Sequence, residues 1–432
     1  MTQECDFMHR TPAAVVTASA VAAAASAIFM ISRRRRTLAT QVRMAADLDT
    51  PALLLDLDAL EYNISALASF MQKHGLLWRP HCKAIRSAEI ARRMIRAGAC
   101  GVTCAKVSQA VALCDCGITD ILIANEIVGD QKIKELVRLA LRAVVCVAVD
   151  DMSNLRELSA AAVAGGAEIA VLIDVDAGMG RCGVPYTETA VIVGLCRLAC
   201  ELPGITLRGL MGYDGHTQAG AHREREAATV FGQRLRAVRA AVEAAGVPIG
   251  LVSGAGSGNY ARAAQLGSVD EVQAGGGIFC CQAYQSYHDN WTSGSEVAGF
   301  VRLRPCLHIV SQVVSLASPG RAVADCGFKT AFPMGGVLPR CVSHAGLKAA
   351  AVNAEHCIFD VSPDASPSLK LGSRLVLQPA YSDSATLLHR NMYGVRGGHS
   401  TSTRAVAAHR ADPAAMQIVE RFDLTLSIGA LA

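Results

Sequence analysis

Two lysines and two glycine-rich segments are the residues of this sequence whose types and spacing suggest chemistry. Lys83 ends the stretch "LLWRPHCK", Lys106 ends "GVTCAK", and the glycine-rich segments are "SGAGSGNY" and "QAGGGIF". Glycine allows backbone N–H groups to approach a phosphate closely, and a lysine amine forms a Schiff base with pyridoxal phosphate. The segments therefore suggest a phosphate site faced by an amine, and the residues alone leave Lys83 and Lys106 as equal candidates.

Further polar residues follow apolar runs elsewhere in the chain. Arg181 lies in "DVDAGMGRCGV", and Tyr213, Asp214 and His216 lie in "GYDGH". Arg181 could be a structural salt-bridge partner, Tyr213 and His216 could be ordinary rim residues, and the glycines could simply form tight turns. A decision between these readings depends on the elements that position the residues.

Eight short apolar runs recur about every 20 to 40 residues, with helix-like segments such as "SAEIARRMIRAGA" between them. Continuous apolar runs that alternate with helices are typical of a parallel sheet. Eight of them fit a closed (β/α)8 TIM-type barrel, whose active sites lie at the carboxyl ends of the strands. An open doubly wound sheet is the alternative, but the sequence lacks a GxGxxG in the first loop. The runs are Leu76–His81, Gly101–Ala105, Asp120–Asn125, Val144–Asp150, Ile169–Asp176, Leu207–His216, Ile249–Gly256 and Glu271–Gly277.

The segments that flank the predicted barrel have a different texture. "TPALLLDLDAL" is a strand-like run before it, and "CLHIVSQVVSLA", "RAVADCG" and "SRLVLQPAY" are strands without helices between them after it. This pattern predicts a second, mainly β domain. We divide the chain into a leader (1–45), a strand of the β domain (46–60), the barrel (61–298), the β domain (299–398) and a tail without clear pattern (399–432).

Composition excludes some classes of protein. The chain has 432 residues, of which 51% are hydrophobic, so it can bury a large core. The net charge is +4, which the single run Arg33-Arg34-Arg35-Arg36 accounts for, and nucleic-acid binding is therefore not expected. Sixteen cysteines are scattered without a CxxC pair, which favours free thiols in a reducing compartment.

The leader contains "AAVVTASAVAAAASAIFMI", directly followed by the four arginines. Its length is close to that of a membrane span, and the arginines would keep the following domain on the cytosolic side. Its composition also suits a transit peptide for a chloroplast or mitochondrion, although Glu4 and Asp6 are unusual there. Contact with a membrane is expected only if the leader is an anchor.

The ordered motifs resemble a known family. "RPHCK" is similar to the RPHxK signature of the alanine racemase-like, fold-type III pyridoxal-phosphate enzymes, which include D-threonine aldolase and D-serine dehydratase. The resemblance continues through "GVTCAK", "DILIAN", "GRCGV", "SGAGSGNY", "EVQAGGGIF", "NAEH" and "PAYSDSATLLH", and covers about residues 48–396.

The resemblance implies roles for individual residues. Lys83 would bind pyridoxal 5'-phosphate covalently, Arg181 would lie near the cofactor's 3'-oxygen, and Tyr213 would also contact the cofactor. The phosphate would be held by Ser257, Gly258, Gly276 and Gly277. The family further implies a head-to-tail homodimer in which the β domain of one chain closes the barrel of the other.

The resemblance also implies a divalent cation, Mg²⁺ or Mn²⁺, held by a His-x-Asp or His-x-Cys pair in the β domain. The matching stretch is "PAYSDS", in which Asp383 keeps the acidic position and Tyr381 replaces the histidine. A neutral phenol is a poor ligand for these ions, whereas a carboxylate is a good one. His356 of "NAEH" could hold the ion or its water, and either His356 or a metal-bound water could act as the catalytic base.

The implied function is a carbon–carbon lyase that acts on D-β-hydroxy-α-amino acids, first of all a D-threonine aldolase that releases glycine and acetaldehyde. A dehydratase of D-serine or D-3-hydroxyaspartate is the nearest alternative, because cofactor, lysine and metal would be shared. A non-catalytic pyridoxal-phosphate-binding paralogue is an alternative of another class. The large β domain and Asp383 favour an enzyme.

Overall fold

The computed structural model describes residues 44–220, 222–292, 300–365, 369–396 and 416–424. Residues 1–43 of the predicted leader (1–45) lie outside the described residues. Among the described helices, none is both long and apolar enough to cross a bilayer. The fifteen cysteines within these ranges are all free thiols, most of them buried, as the scattered spacing predicts.

Ten strands form among the described residues between 44 and 292, and eight of them build a parallel barrel. Each predicted apolar run is present as one of these eight, and its buried residues are nearly continuous. Their order in the sheet is β2-β10-β9-β8-β6-β5-β4-β3, with β7 added to β6. The ten are β1 (Ala52–Asp56), β2 (Leu77–Trp78), β3 (Val102–Cys104), β4 (Asp120–Glu126), β5 (Val144–Val149), β6 (Ile169–Asp176), β7 (Val184–Pro185), β8 (Ile205–Gly212), β9 (Leu251–Gly254) and β10 (Glu271–Val272).

The barrel is closed by backbone bonds between the segment after β2 and β3. Thr103 N–H donates to Pro80 O at 2.9 Å, Cys82 N–H donates to Thr103 O at 2.7 Å, and His81 and Thr103 form a parallel bridge. A ring of parallel strands brings all their carboxyl ends to one rim. The prediction of a (β/α)8 barrel is confirmed, and the open doubly wound sheet is excluded.

Helices alternate with the barrel strands and cover their outer surface. Asp56 begins the first helix by accepting the Ala59 N–H at 3.0 Å, and Asp151 caps α5 in the same way. Their buried faces recur at helical spacing, which is why the sequence pattern could be read. They are α1 (Leu57–Lys73), α2 (Ala88–Arg96), α3 (Val107–Asp115), α4 (Asp130–Ala140), α5 (Met152–Gly165), α6 (Thr189–Glu201), α7 (His222–Ala244), α8 (Tyr260–Leu266) and α9 (Gln282–Thr292).

The rest of the described chain forms a mainly β domain, as predicted. Its sheet has the order β14-β15-β12-β11-β1-β17-β18, and β13 and β16 pair beside β11. The early strand β1 lies at its centre, antiparallel to β11 and parallel to β17. The new elements are β11 (Leu307–Ser315), β12 (Arg321–Ala324), β13 (Arg340–Cys341), β14 (Leu347–Val352), β15 (Cys357–Val361), β16 (Arg374–Gln378), α10 (Ser382–Leu388), β17 (Asn391–Arg396) and β18 (Gln417–Asp423).

A buried arginine ties the closing seam of the barrel. Arg79, directly after β2, donates from Nε to Glu271 of β10 at 2.7 Å and from Nη1 to Asp120 of β4 at 2.6 Å. The Arg79 and Glu271 side chains are 3% and 2% exposed. Burial alone would lower the pKa of Arg79, but Glu271, Cys100 and Asp120 raise it on balance, so the guanidinium stays charged. The arginine of "RPHCK" is therefore a structural ion-pair partner.

We predict that Glu271→Gln destabilises the barrel by about 3 kcal/mol, because it leaves a buried guanidinium without a charged partner at its Nε. Glu243→Gln is the matched control, since Glu243 forms an exposed pair with Arg239 and its loss should cost less than about 1 kcal/mol. Urea unfolding followed by tryptophan fluorescence measures both, because Trp78 and Trp291 are buried in this half of the chain. Equal effects of the two variants would contradict the role of the seam.

Candidate active site

Lys83 lies in the turn directly after β2, at the rim where the barrel strands end. Its backbone N–H donates to Nδ1 of His81 at 3.2 Å, and the N–H of Arg86 closes the turn on Cys82 O at 3.0 Å. Arg86 has a φ of 50°, in the left-handed region that non-glycine residues seldom occupy. The Lys83 side chain is 43% exposed and its Nζ is 4.0 Å from Oδ2 of Asp383. The turn therefore points the amine of the barrel at a carboxylate of the β domain.

His81 is an uncharged neighbour of this amine. Burial, reinforced by the cations Lys83 and Arg181, lowers the pKa of His81 to about 3. The imidazole is therefore neutral at neutral pH, which agrees with its Nδ1 accepting the backbone N–H of Lys83. His81 shapes the turn and adds no positive charge to it.

The glycine loops after β9 and β10 pack against each other and against the lysine turn. A Cβ on Gly275 would lie 2.2 Å from His81 O, and one on Gly277 would lie 2.7 Å from Cβ of Ser257. Gly277 N–H donates to Ser257 Oγ at 2.9 Å. Only glycine allows such close approach. The fold thus brings together the lysine turn and both predicted phosphate loops.

The same region contains two further non-glycine residues in left-handed backbone conformation. They are Ala255 in the first glycine loop and Cys280 directly after the second, with φ of 55° and 47°. Such conformations cost about 1–3 kcal/mol each and cluster at functional sites. Their presence in the first loop and directly after the second is additional evidence that the rim beside Lys83 is a site.

Arg181 and Tyr213 form a stacked pair at the same rim. The Arg181 guanidinium lies 4.9 Å from the centre of the Tyr213 ring, and the Tyr213 hydroxyl is hydrogen-bonded to the amide of Gln218. Burial and the neighbouring Asp214 raise the pKa of Tyr213 to about 12, although Arg181 opposes the shift. The phenol is therefore neutral and Arg181 contributes a cation over its face.

Two carboxylates hold the loop that carries Arg181. Asp176 Oδ1 accepts the N–H groups of Gly178 and Gly180 at 2.9 and 3.0 Å, and Asp150 Oδ2 accepts the Gly183 N–H at 3.0 Å. Burial would raise the pKa of Asp176, but these backbone bonds lower it on balance. Both ends of the short loop are therefore fixed by charge-assisted hydrogen bonds.

Asp383 is surrounded by tyrosines. It lies in the first turn of α10, where Tyr381 is the N-cap residue, and the Tyr381 and Tyr284 ring centres are 5.8 Å apart. A Cβ on Gly276 would lie 3.1 Å from both Asp383 Oδ1 and the Tyr284 hydroxyl. Burial raises the pKa of Asp383, and hydrogen bonding to Tyr381 and the charge of Lys83 oppose the shift. Burial and Asp383 raise the pKa of Tyr381, so its phenol stays protonated.

Comparison with protein families assigns both halves of the chain. Residues 55–283, just over half of the sequence, match the family described as "Alanine racemase, N-terminal domain". Residues 306–395 match the "Putative serine dehydratase domain". The two matches coincide with the barrel and the β domain.

Whole-length relatives narrow the family further. The chain is 35% identical over 356 residues to a D-threonine aldolase of Arthrobacter sp., covering 82% of this chain and 90% of the relative. This chain belongs to the alanine racemase-like, fold-type III pyridoxal-phosphate enzymes. It is also 33% identical over 368 residues to a 3-hydroxy-D-aspartate aldolase of Paracoccus denitrificans (strain Pd 1222), covering 84% and 92% of the two chains.

A solved structure supports the same assignment. The D-threonine aldolase from Filomicrobium marinum superposes with a TM-score of 0.79 at 32% identity, covering 89% of this chain and 98% of that one. The resemblance seen in the sequence motifs is therefore confirmed for the barrel and the β domain together.

The residues of this fold-type III enzyme fit pyridoxal phosphate. Gly276 leaves a cradle that a Cβ would fill, since the added atom would lie 2.9 Å from Ala84 Cβ and 3.1 Å from Asp383 Oδ1. The cradle adjoins Ser257 and Gly277, which would hold the phosphate. Lys83 offers the amine, and Arg181 offers a cation for an anionic oxygen.

The residues do not fit a tightly bound divalent cation. In the ranges that the structure describes, no group of three or more His, Cys, Asp or Glu residues is arranged to hold a metal. Asp383 offers one carboxylate, Tyr381 a protonated phenol, and the ammonium of Lys83 lies 4.0 Å away. The metal pair suggested by the resemblance therefore lacks a second good ligand.

Two sequence candidates, His356 and Lys106, are exposed and make no described hydrogen bond or ion pair with Lys83 or Asp383. His356 is exposed in the turn between β14 and β15, and within the described residues no hydrogen bond or ion pair joins it to Lys83 or Asp383. The expected role of His356 as base or metal ligand is therefore not supported by its position. Lys106 is exposed at the start of α3, where its backbone is the N-cap. Sequence reasoning missed Asp176 and Asp150, although an aspartate at a barrel strand end was a usable signal.

We predict that Lys83→Ala loses covalent attachment of pyridoxal phosphate while Lys106→Ala keeps it, because Lys83 faces the glycine loops. Visible absorbance of the bound cofactor and its fixation by borohydride measure the attachment. A Lys83→Ala protein that remains reducible, beside a Lys106→Ala protein that does not, would reverse the assignment.

We predict that Asp176→Ala weakens cofactor binding about 10-fold, because two charge-assisted hydrogen bonds that fix the Arg181 loop are lost, each worth about 1.5 kcal/mol or more. Asp151→Ala is the matched control, since Asp151 also accepts two backbone N–H groups but at the start of α5. Both variants should lose similar stability. Titration with the cofactor, followed by absorbance and repeated at several pH values, compares the cofactor affinities of the two variants. Equal affinities would show that the loop does not position Arg181.

Proposed function

We propose that the chain is a pyridoxal-phosphate-dependent carbon–carbon lyase that cleaves D-threonine and related D-β-hydroxy-α-amino acids into glycine and an aldehyde. Membership of the fold-type III enzymes and two relatives named aldolases support a lyase of D-hydroxyamino acids. The observation that carries the proposal is the 4.0 Å approach of Lys83 Nζ to Asp383 Oδ2 beside the glycine loops. This arrangement supports the proposal because it combines an amine and a carboxylate at one point of the barrel rim.

The bound cofactor would supply a ring that takes up the electron pair released when a bond to Cα breaks. Lys83 would hold it covalently, and Ser257, Gly258, Gly276 and Gly277 would surround its phosphate. Arg181 lies above Tyr213, 4.9 Å from the ring centre, and its cation would face an anionic oxygen of the cofactor. Because Tyr213 is neutral, it does not offset these positive charges, and neutral His81 does not add to them.

Cleavage requires that the substrate's β-hydroxyl lose its proton while the Cα–Cβ bond breaks. Oδ2 of Asp383 is the carboxylate oxygen nearest Lys83 Nζ among the ion pairs described, and it could accept that proton as the C–O bond becomes the aldehyde carbonyl. Cα then takes up a proton, for which Lys83 Nζ is positioned, and glycine leaves. His356, exposed in its turn, is replaced by Asp383 as the candidate base.

A dehydratase of D-serine or D-3-hydroxyaspartate is the alternative reaction at this site. There Lys83 would remove the Cα proton and hydroxide would leave from Cβ. Three relatives that exceed 30% identity over most of the chain are all named aldolases, which favours cleavage of the carbon–carbon bond. A non-catalytic role for the site is disfavoured by the carboxylate held opposite the lysine.

Organelle import or membrane anchoring by the leader, and a head-to-tail homodimer, are further proposals. They rest on the leader's composition and on the family resemblance respectively. Fractionation of tagged full-length protein and light scattering of the purified chain would address them.

We predict that purified, cofactor-loaded protein converts D-threonine into equimolar glycine and acetaldehyde and leaves L-threonine unchanged. D-threo-3-hydroxyaspartate and D-serine, offered in parallel, test the range of substrates. Acetaldehyde, glycine, ammonia and 2-oxo acids are measured together. Ammonia and 2-oxobutanoate in place of glycine would identify a dehydratase, and absence of all products beside a normal cofactor spectrum would favour the non-catalytic paralogue.

A further inference from the structure

The carboxylate of Asp383 is already engaged by groups of this chain. Its Oδ2 faces the Lys83 amine at 4.0 Å, and Ser382 Oγ approaches its Oδ1 at 3.4 Å. Tyr381 is also hydrogen-bonded to it. The Asp383 side chain is only 17% exposed, so water competes little with these partners. The partners are donors and a cation, which is the environment of a carboxylate that balances charge within the protein.

Tyr381 cannot serve both this carboxylate and a metal ion. A phenol has one proton, and in its hydrogen bond to an acceptor-only carboxylate that proton lies between the two oxygens. The Tyr284 hydroxyl, whose ring centre is 5.8 Å from that of Tyr381, is a second phenol in the same cluster. Mg²⁺ and Mn²⁺ prefer carboxylate, carbonyl and water oxygens, and neutral phenols are not among them.

The charge of Lys83 also disfavours a divalent ion. A cation bound to Asp383 would lie within a few ångströms of an ammonium group that is itself 4.0 Å from the carboxylate. Two like charges in a partly buried space repel strongly, and the single carboxylate can balance only one of them. A divalent ion would need a second acidic or imidazole ligand beside Asp383 to offset this repulsion. Tyr381 occupies the position from which such a side chain could reach the ion.

We propose that the Asp383–Tyr381 site takes the cationic nitrogen of Lys83 and a substrate hydroxyl in place of a divalent cation. The first part of this inference stands on the donor set alone. The second part, that turnover needs no added metal ion, rests on the proposed lyase function. Tyr381 is the residue that decides between the two kinds of site.

Restoring an imidazole at position 381 tests the inference by gain of binding. Purified holoenzyme is titrated with Mn²⁺ alone and followed by electron paramagnetic resonance. We expect Tyr381→His to bind one Mn²⁺ at least about 10-fold more tightly than the wild type, because it completes a His-x-Asp pair. Adding Asp383→Asn to Tyr381→His should abolish the gain. Tyr287→His is the matched control, since Tyr287 packs on Tyr284 in the same cluster and should produce no site.

The outcomes separate this inference from the proposed function. Wild-type protein that binds Mn²⁺ as tightly as Tyr381→His, or a Tyr381→His protein with normal cofactor absorbance and no gain, overturns it. Loss of Mn²⁺ affinity in the single variant Asp383→Asn would also overturn the inference. Turnover that a chelator stops and Mn²⁺ restores would overturn it as well. If no substrate is cleaved but the Mn²⁺ results hold, the proposed function fails and the assignment of the site stands.

Discussion

The buried charge of Arg79 is the constraint on which the site depends. Strands β2 and β10 contain two residues each, so few backbone bonds hold the closing seam of the barrel. The guanidinium links Glu271 and Asp120 across it, and Gly101 must be a glycine because a Cβ would lie 2.2 Å from Arg79 Nη1. A buried charge is tolerated only with its partners in place, so the seam has one register. Lys83, four residues later, inherits its position from that register.

Sequence reasoning located the elements and residues whose signal is local. The eight barrel strands are continuous apolar runs, and the glycine loops and Lys83 follow directly from strand ends. The Arg181 loop was found without the carboxylates that hold it, because Asp150 reaches Gly183 across 33 residues of sequence. Strand β18 was missed because charged residues, among them Glu420, Arg421 and Asp423, interrupt its apolar ones, so no continuous apolar run marks it. His356 was suggested as base or metal ligand by motif resemblance alone, and a motif does not indicate that its histidine lies in an exposed turn.

The charges of the side chains at the barrel rim follow one pattern. Burial lowers the pKa of His81 and raises that of Tyr213, so both are neutral where a charged form would be costly. The cations of this rim are Lys83, 4.0 Å from Asp383, and Arg181, over the Tyr213 ring. Both positive charges would stabilise a bound anionic cofactor, and Asp383 lies where it can balance the charge of Lys83.

The substitution at position 381 shows how a family fold can keep its architecture while its chemistry shifts. A phenol and an imidazole are both flat rings that can donate a hydrogen bond to Asp383, so the packing of α10 beside Tyr284 tolerates either. They differ in their capacity to bind a metal ion after donating that hydrogen bond. A neutral imidazole still has a lone pair on its second nitrogen, whereas the phenol would have to lose its proton beside a buried carboxylate. Burial and Asp383 both raise the pKa of Tyr381 and oppose that loss. The fold thus sets where Asp383 meets Lys83, and one neighbouring ring sets whether a metal ion can join them.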